Sequence, residues 1–118
     1  MLIFVEYPRC TTCKKAKAWL DSKGLEYTDR HIKDENPCFD ELSEWYAKSG
    51  LPLKKFFNTS GMLYKQMSLK DKLPEMSEKE QLELLSSDGM LVKRPIVISG
   101  ETVLVGFKEA DWEEKLLK

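Results

Sequence analysis

Cys10-Thr11-Thr12-Cys13 is the stretch that most narrows what this chain can fold into. Ahead of it lies Leu2-Ile3-Phe4-Val5, short, apolar and partly β-branched, the pattern of a buried strand. Tyr7-Pro8-Arg9 breaks that strand. From Lys14 to Lys23 the chain is rich in Lys, Ala, Trp and Leu, and Gly24 stands where a helix C-terminus takes a left-handed residue. The cysteine pair is therefore predicted at a strand-to-helix switch, in the first turn of the helix. Two cysteines three apart on a helix share a face and lie close enough to bridge.

That position has chemical consequences. A first helical turn offers unsatisfied N–H groups and the positive end of the dipole. Arg9, Lys14 and Lys15 add positive charge nearby. These features favour thiolate over thiol, and the thiolate is the nucleophile. Cys10, nearer the helix start, is the candidate nucleophile, and Cys13, one turn in, the candidate resolving thiol. Two other readings compete. A zinc knuckle needs two further ligands, and the chain offers only Cys38 and a single histidine, His31, with no second CxxC or HxxxH. No metal is expected. Inert burial of both cysteines is the other, better suited to Cys13 than to Cys10.

Bulk properties bound the partners. The 118 residues suit one domain, 1–118, with a core that needs no staples. The net charge of −1 favours neither nucleic acid nor an anionic membrane as a partner. No run approaches the length of a membrane span, and the opening apolar stretch is too short for a signal peptide. A cytoplasmic location is expected, where disulfides are rare and usually catalytic or sensing. Three cysteines fit that better than a disulfide scaffold.

The rest of the chain reads in order. Leu25 to Ile32 has the mixed polarity of an edge strand, so the opening is a βαβ unit with parallel strands. Asp34 to Pro37 is a loop. Cys38 to Ser49 repeats Phe39, Leu42 and Trp45/Tyr46 at helical spacing and stops at Gly50 and Pro52. Leu53 to Phe57 suggests one helical turn, and Met62 to Met67 and Ser68 to Leu73 two short helices ended by Pro74. Ser77-x-x-Glu80 has the form of a capping box, with Leu82, Leu84 and Leu85 as the buried side and Gly89 as the close. The stretch of about 38–92 is thus a helical insertion. Then the period changes: Ile96 to Ser99 and Thr102 to Val105 are β-branched runs joined by Gly100-Glu101, which suits a type II′ hairpin. A last helix, Lys108 to Leu117, buries Trp112, Leu116 and Leu117. The fold class is α/β: a βαβ–ββα core with a mixed four-stranded sheet, and the insertion between the second and third strands.

That order resembles the thioredoxin/glutaredoxin fold. The finer match is to the arsenate reductase-like family of ArsC, Spx and YffB proteins. It is carried by Tyr7 to Ala16, Gly50-Leu51-Pro52, Phe57 to Gly61, Lys93 to Val97 and Val105-Gly106-Phe107. The resemblance implies a cis Pro95 lying against the active-site cysteine and an Arg94 pointing at the same site. A guanidinium there would stabilise the thiolate and hold an oxyanion. Arg9, Thr11, Thr12, Lys14 and Pro95 are the expected substrate-binding residues beside Cys10, Cys13 and Arg94. Plasmid-type arsenate reductases carry a histidine before the cysteine and three arginines around the oxyanion. Here only Arg94 matches; the other two positions fall near Asn58 and Phe107, so efficient arsenate reduction is not expected.

The family resemblance implies a thiol–disulfide oxidoreductase acting on disulfides, glutathione adducts or arsenate. No metal or organic cofactor is expected, since electrons come from thiols such as glutathione, thioredoxin or glutaredoxin. The alternative is an Spx-like redox regulator whose CxxC oxidation alters binding to the RNA polymerase α subunit. Neither reading calls for direct nucleic-acid or membrane contact.

Overall fold

The computed structural model describes residues 2–117. The apolar opening run forms a central strand, β1 (Leu2–Glu6). It pairs in parallel with β2 (Thr28–His31) and antiparallel with β3 (Ile96–Ser99), which in turn pairs antiparallel with β4 (Thr102–Val105). The order is β2-β1-β3-β4, so β2 lies at an edge as its mixed polarity requires. At Gly100 the hairpin takes φ +59, and Glu101 is not left-handed, the pattern of a type II′ turn. This is the thioredoxin-like α/β arrangement with its helical insertion between the second and third strands.

Strand side chains alternate faces, so β1 feeds two cores. On one side Leu2 and Phe4 meet Ala16, Trp19 and Leu20 of α1 (Thr11–Ser22), Val97 of β3, and Trp112 of α6 (Glu109–Leu117). This layer is aromatic: Trp112 lies edge-on to Trp19 at 5.9 Å and to Phe107 at 4.9 Å. Its Nε1–H donates to the Gly106 carbonyl at 3.0 Å. Truncating such a residue to alanine costs about 3–5 kcal/mol.

On the other face, Val5, Ile96, Ile98 and Val103 pack against the insertion. Its helices are α2 (Phe39–Ser49), α3 (Met62–Gln66), α4 (Leu69–Lys72) and α5 (Glu78–Ser87), with short 3₁₀ turns between them. The Ser77 capping box forms as expected: Glu80 N–H donates to Ser77 Oγ at 3.1 Å, and Ser77 N–H to Glu80 Oε1 at 2.9 Å.

Three local expectations change. The second strand begins at Thr28, because Leu25 and Tyr27 pack against the aromatic layer instead of pairing. Gly89 does not close α5; Asp88 does, in extended conformation. Gly89 is glycine because any Cβ there would sit 1.8 Å from the Ile32 carbonyl oxygen. Leu117 is 40% exposed rather than buried, leaving Trp112 and Leu116 as the apolar side of α6.

Candidate active site

The break after β1 is tight. Cys10 N–H donates to the Tyr7 carbonyl at 2.9 Å, and the helix begins at once. Cys10 is therefore the N-cap of α1, with extended φ −82 and ψ 124, one step outside the helical turn expected for it. Its carbonyl accepts the Lys14 N–H at 3.0 Å, the first bond of the helix. Cys13 is the third helical residue, fully buried, while Cys10 is half-buried and both are free thiols.

A second segment arrives from the far end of the insertion. Lys93 N–H donates to the Phe56 carbonyl at 2.7 Å, and Asn58 N–H to the Leu91 carbonyl at 2.8 Å. These bonds flank a bridge between Phe57 and Val92 and feed the chain into β3. Antiparallel register sets Ile96 opposite Val5, so Arg94 and Pro95 lie beyond the same sheet end from which Tyr7 to Cys10 emerges. The Arg94–Pro95 bond is cis and Pro95 is buried. The Arg94 guanidinium stacks over the Tyr7 ring at 5.1 Å and donates to the Met90 carbonyl at 3.5 Å.

This arrangement divides the two thiols. Partial burial alone would raise the Cys10 thiol. The Cys13 backbone N–H, the Cys13 side chain and the Arg94 guanidinium outweigh it, and the net direction is downward. Cys13 goes the other way. Burial first, then the neighbouring Cys10, push it up to about 12, against the Tyr7 backbone and Arg94. Hence the outer sulfur ionises more readily than an ordinary thiol, and the inner one is held as a thiol while its neighbour carries charge.

Among the charges expected to act on Cys10, Arg94 is the one that does. Arg9 and Lys14 are exposed, as are Thr11 and Thr12 in the first turn. Arg9 instead borders a small polar hollow with Tyr7, His31 and Lys33. Phe107, at one of the two positions without a matching arginine, is packed into the aromatic layer. Asn58, at the other, is half-buried.

Two residues near the site were not singled out from sequence. Tyr7 is held between Arg94 and His31, whose ring it meets edge-on at 5.7 Å, and its backbone acts on Cys13. An aromatic residue in the strand break was its only signal. Glu6 closes β1 and is 4% exposed. Burial, and then Asp29 beside it, push its carboxyl up to about 7, with Lys17 opposing. A charge ending an apolar run was the available hint. Cys38 lies apart, exposed at the start of α2.

Among the described residues there is no cluster of three or more His, Cys, Asp or Glu placed to hold a metal ion, and no helix long and apolar enough to cross a membrane.

The ArsC family model matches residues 5–115. The uncharacterized protein YusI of Bacillus subtilis (strain 168) is 58% identical over 96% of each chain. The regulatory protein MgsR of the same organism is 30% identical, over 93% of this chain and 86% of MgsR. A crystal structure of an ArsC family related protein from Bacteroides fragilis superposes with a TM-score of 0.94 at 54% identity, covering 96% of this chain and 95% of the other.

Proposed function

The chain belongs to the ArsC family, and on that premise we propose that it is a thiol–disulfide oxidoreductase with Cys10 as nucleophile and Cys13 as resolving thiol. One observation carries the reading: two free thiols side by side, the outer one reachable and biased toward thiolate, the inner one buried and biased toward thiol.

The chemistry follows from that division. Cys10 thiolate attacks one sulfur of a substrate disulfide and forms a mixed disulfide, and the other substrate sulfur leaves as a thiolate that takes up a proton. The charge on Cys10 is now gone, and with it one of the effects that held Cys13 protonated. Cys13 loses its proton and attacks Cys10 Sγ. The Cys10–Cys13 bond forms, the second substrate sulfur leaves, and the substrate has gained two electrons. Two electrons from a thiol donor return the pair to the reduced state. Arg94 stabilises the anionic sulfur at the start of the cycle, and Pro95 shapes the approach. Arsenate is the weaker substrate class here, because a multiply charged oxyanion needs several fixed donors and Arg94 is the one cation acting at Cys10.

The test is turnover of a small disulfide with a thiol donor. Wild type is expected to cycle, and Cys10→Ser is expected to be inactive; equal rates would remove the enzyme reading. The pair should show a reduction potential in the range of thioredoxins and glutaredoxins, roughly −270 to −200 mV.

A second reading is redox regulation, favoured by the likeness to MgsR across nearly the whole chain. In it, oxidation of the same pair changes the surface around Arg94 and Tyr7 and so alters a protein contact. Binding to the RNA polymerase α C-terminal domain that depends on the oxidised pair would favour regulation over turnover.

A further inference from the structure

The outer strand of the sheet, β4, has a free edge. Register decides which groups face it. Gly106 N–H donates to the Pro95 carbonyl at 2.8 Å, while Val105 stands opposite Ile96 and Val103 opposite Ile98. Antiparallel pairs alternate between hydrogen-bonded and non-hydrogen-bonded positions. Thr102, Leu104 and Gly106 therefore direct their backbone groups toward β3, and Val103 and Val105 direct theirs away from it. Among the described residues, no backbone bond outside the sheet takes up those outward groups. Such an edge is a template for another extended chain.

The edge borders a groove of about 740 Å³ that runs from Glu101 at the hairpin to Thr12 in the first turn of α1. Lys48, Lys55, Lys93, Lys108 and Lys115 line it, against Glu101 and Asp111. Lys48 is already paired, with Glu44 at 3.5 Å and Glu101 at 3.6 Å. The other four lysines have no ion-pair partner among the described residues. In a chain of net charge −1 this is a local concentration of positive charge, not a general property.

We propose that the β4 edge docks an extended acidic segment of a partner protein as a fifth strand, its carboxylates facing Lys55, Lys93, Lys108 and Lys115 and one end lying beside Thr12. Four edge residues span about 13 Å, so the segment's backbone bonds supply affinity while its side chains, alternating between the two faces of the sheet, meet Lys55 on the insertion side and Lys108 and Lys115 beside α6. A second copy of this chain is the wrong occupant, because edge-to-edge pairing would bring the same lysines against one another. The proposal deepens the thiol–disulfide reading, since a segment laid along β4 ends beside Thr12, between the two cysteines in sequence. Docking itself needs no redox step.

The test uses a fluorescein-labelled, cysteine-free peptide of Glu-Glu-Val repeats, which as a strand carries carboxylates on both faces, titrated into the reduced full chain and followed by anisotropy. Saturable binding is expected. It should weaken at least about tenfold in Lys55→Glu/Lys108→Glu, whose two sites are exposed, and likewise for a peptide N-methylated along one edge. A lysine–valine peptide should not bind. No binding of the acidic peptide overturns the proposal. So does equal binding of the N-methylated form or of polyphosphate, which would mean a general anion site. A dimer in sedimentation that persists in the double variant would assign the edge to a second copy instead. Small-disulfide turnover measured in the same preparation reports on the cysteine pair alone, so the two readings fail separately.

Discussion

Helices α1 and α2 both begin on a cysteine in extended conformation, and they surround it with opposite electrostatics. Cys38 caps α2, whose first turn carries Asp40 and Glu41. Glu41 accepts the Cys38 backbone N–H at 3.0 Å and forms a two-pronged pair with Arg30, whose Nη2 donates at 2.8 Å. The positive helix end is thus answered by carboxylates, and the nearby guanidinium is already committed. Cys10 caps α1, whose first turn has no acidic residue. There the guanidinium of Arg94 acts on the sulfur, and a second thiol lies one turn in. A cysteine at a helix N-terminus thus meets very different surroundings in the two helices. What matters is whether the helix's field is left unneutralised and what else faces the sulfur.

The sharpest way to break this contrast is to remove each sulfur in turn. Cys10→Ser should lower disulfide turnover by at least about 1000-fold, as expected on losing a nucleophile, while Cys38→Ser stays within about twofold of wild type. A comparable loss in Cys38→Ser would overturn this division of roles between the two helix starts.

Arg94 is next. Its charge lowers the Cys10 thiol, so Arg94→Gln should move that titration upward. Alkylation of Cys10 rises with pH as thiolate forms, so the variant should react about tenfold more slowly near pH 6.5 and converge on wild type at high pH. A pH profile that does not move would show that Arg94 serves structure only.

At the other helix the effect is on stability. Arg30 holds the Glu41 carboxyl down to about 2, with the Cys38 backbone assisting. A lowered folded-state value stabilises above the ordinary carboxylate range and is lost as pH falls from about 4.5 toward 2. Glu41→Gln should cost about 1 kcal/mol at pH 7, discounted for partial exposure, and almost nothing near pH 2. Denaturant titration at both pH values measures it.

The smallest change transplants one feature. Thr12 occupies in α1 the position that Asp40 occupies in α2, and it is exposed. Thr12→Asp should slow Cys10 alkylation about threefold at neutral pH and stabilise the helix by about 0.3–1 kcal/mol. Faster alkylation in this variant would show that the first-turn charge is irrelevant to the sulfur.

Much of this was legible locally. The strand, the break, the cysteine spacing and the left-handed Gly24 after α1 are set by residues within a few positions of one another, and the Ser77 capping box likewise. Failures came where a distant backbone decides. Gly89 resembles a helix stop, yet its lack of a side chain answers to the Ile32 carbonyl. Leu117 fits the apolar spacing of its helix, but at the helix end it is left 40% exposed. Arg94 was placed by family resemblance, since a lysine–arginine pair before a strand does not by itself announce a site.

By itself, the order of residues determined the elements and put two sulfurs one helical turn apart, because turn and strand periods act over short range. Only the folded sheet decided which charge meets them. The antiparallel register of β1 and β3, clamped by the bonds of Phe56 and Asn58 to the approaching segment, brings Arg94 to Cys10. The same sheet leaves β4 at an open edge among lysines drawn from distant parts of the chain. Those are long-range juxtapositions, and a linear pattern carries no term for the space between residues far apart.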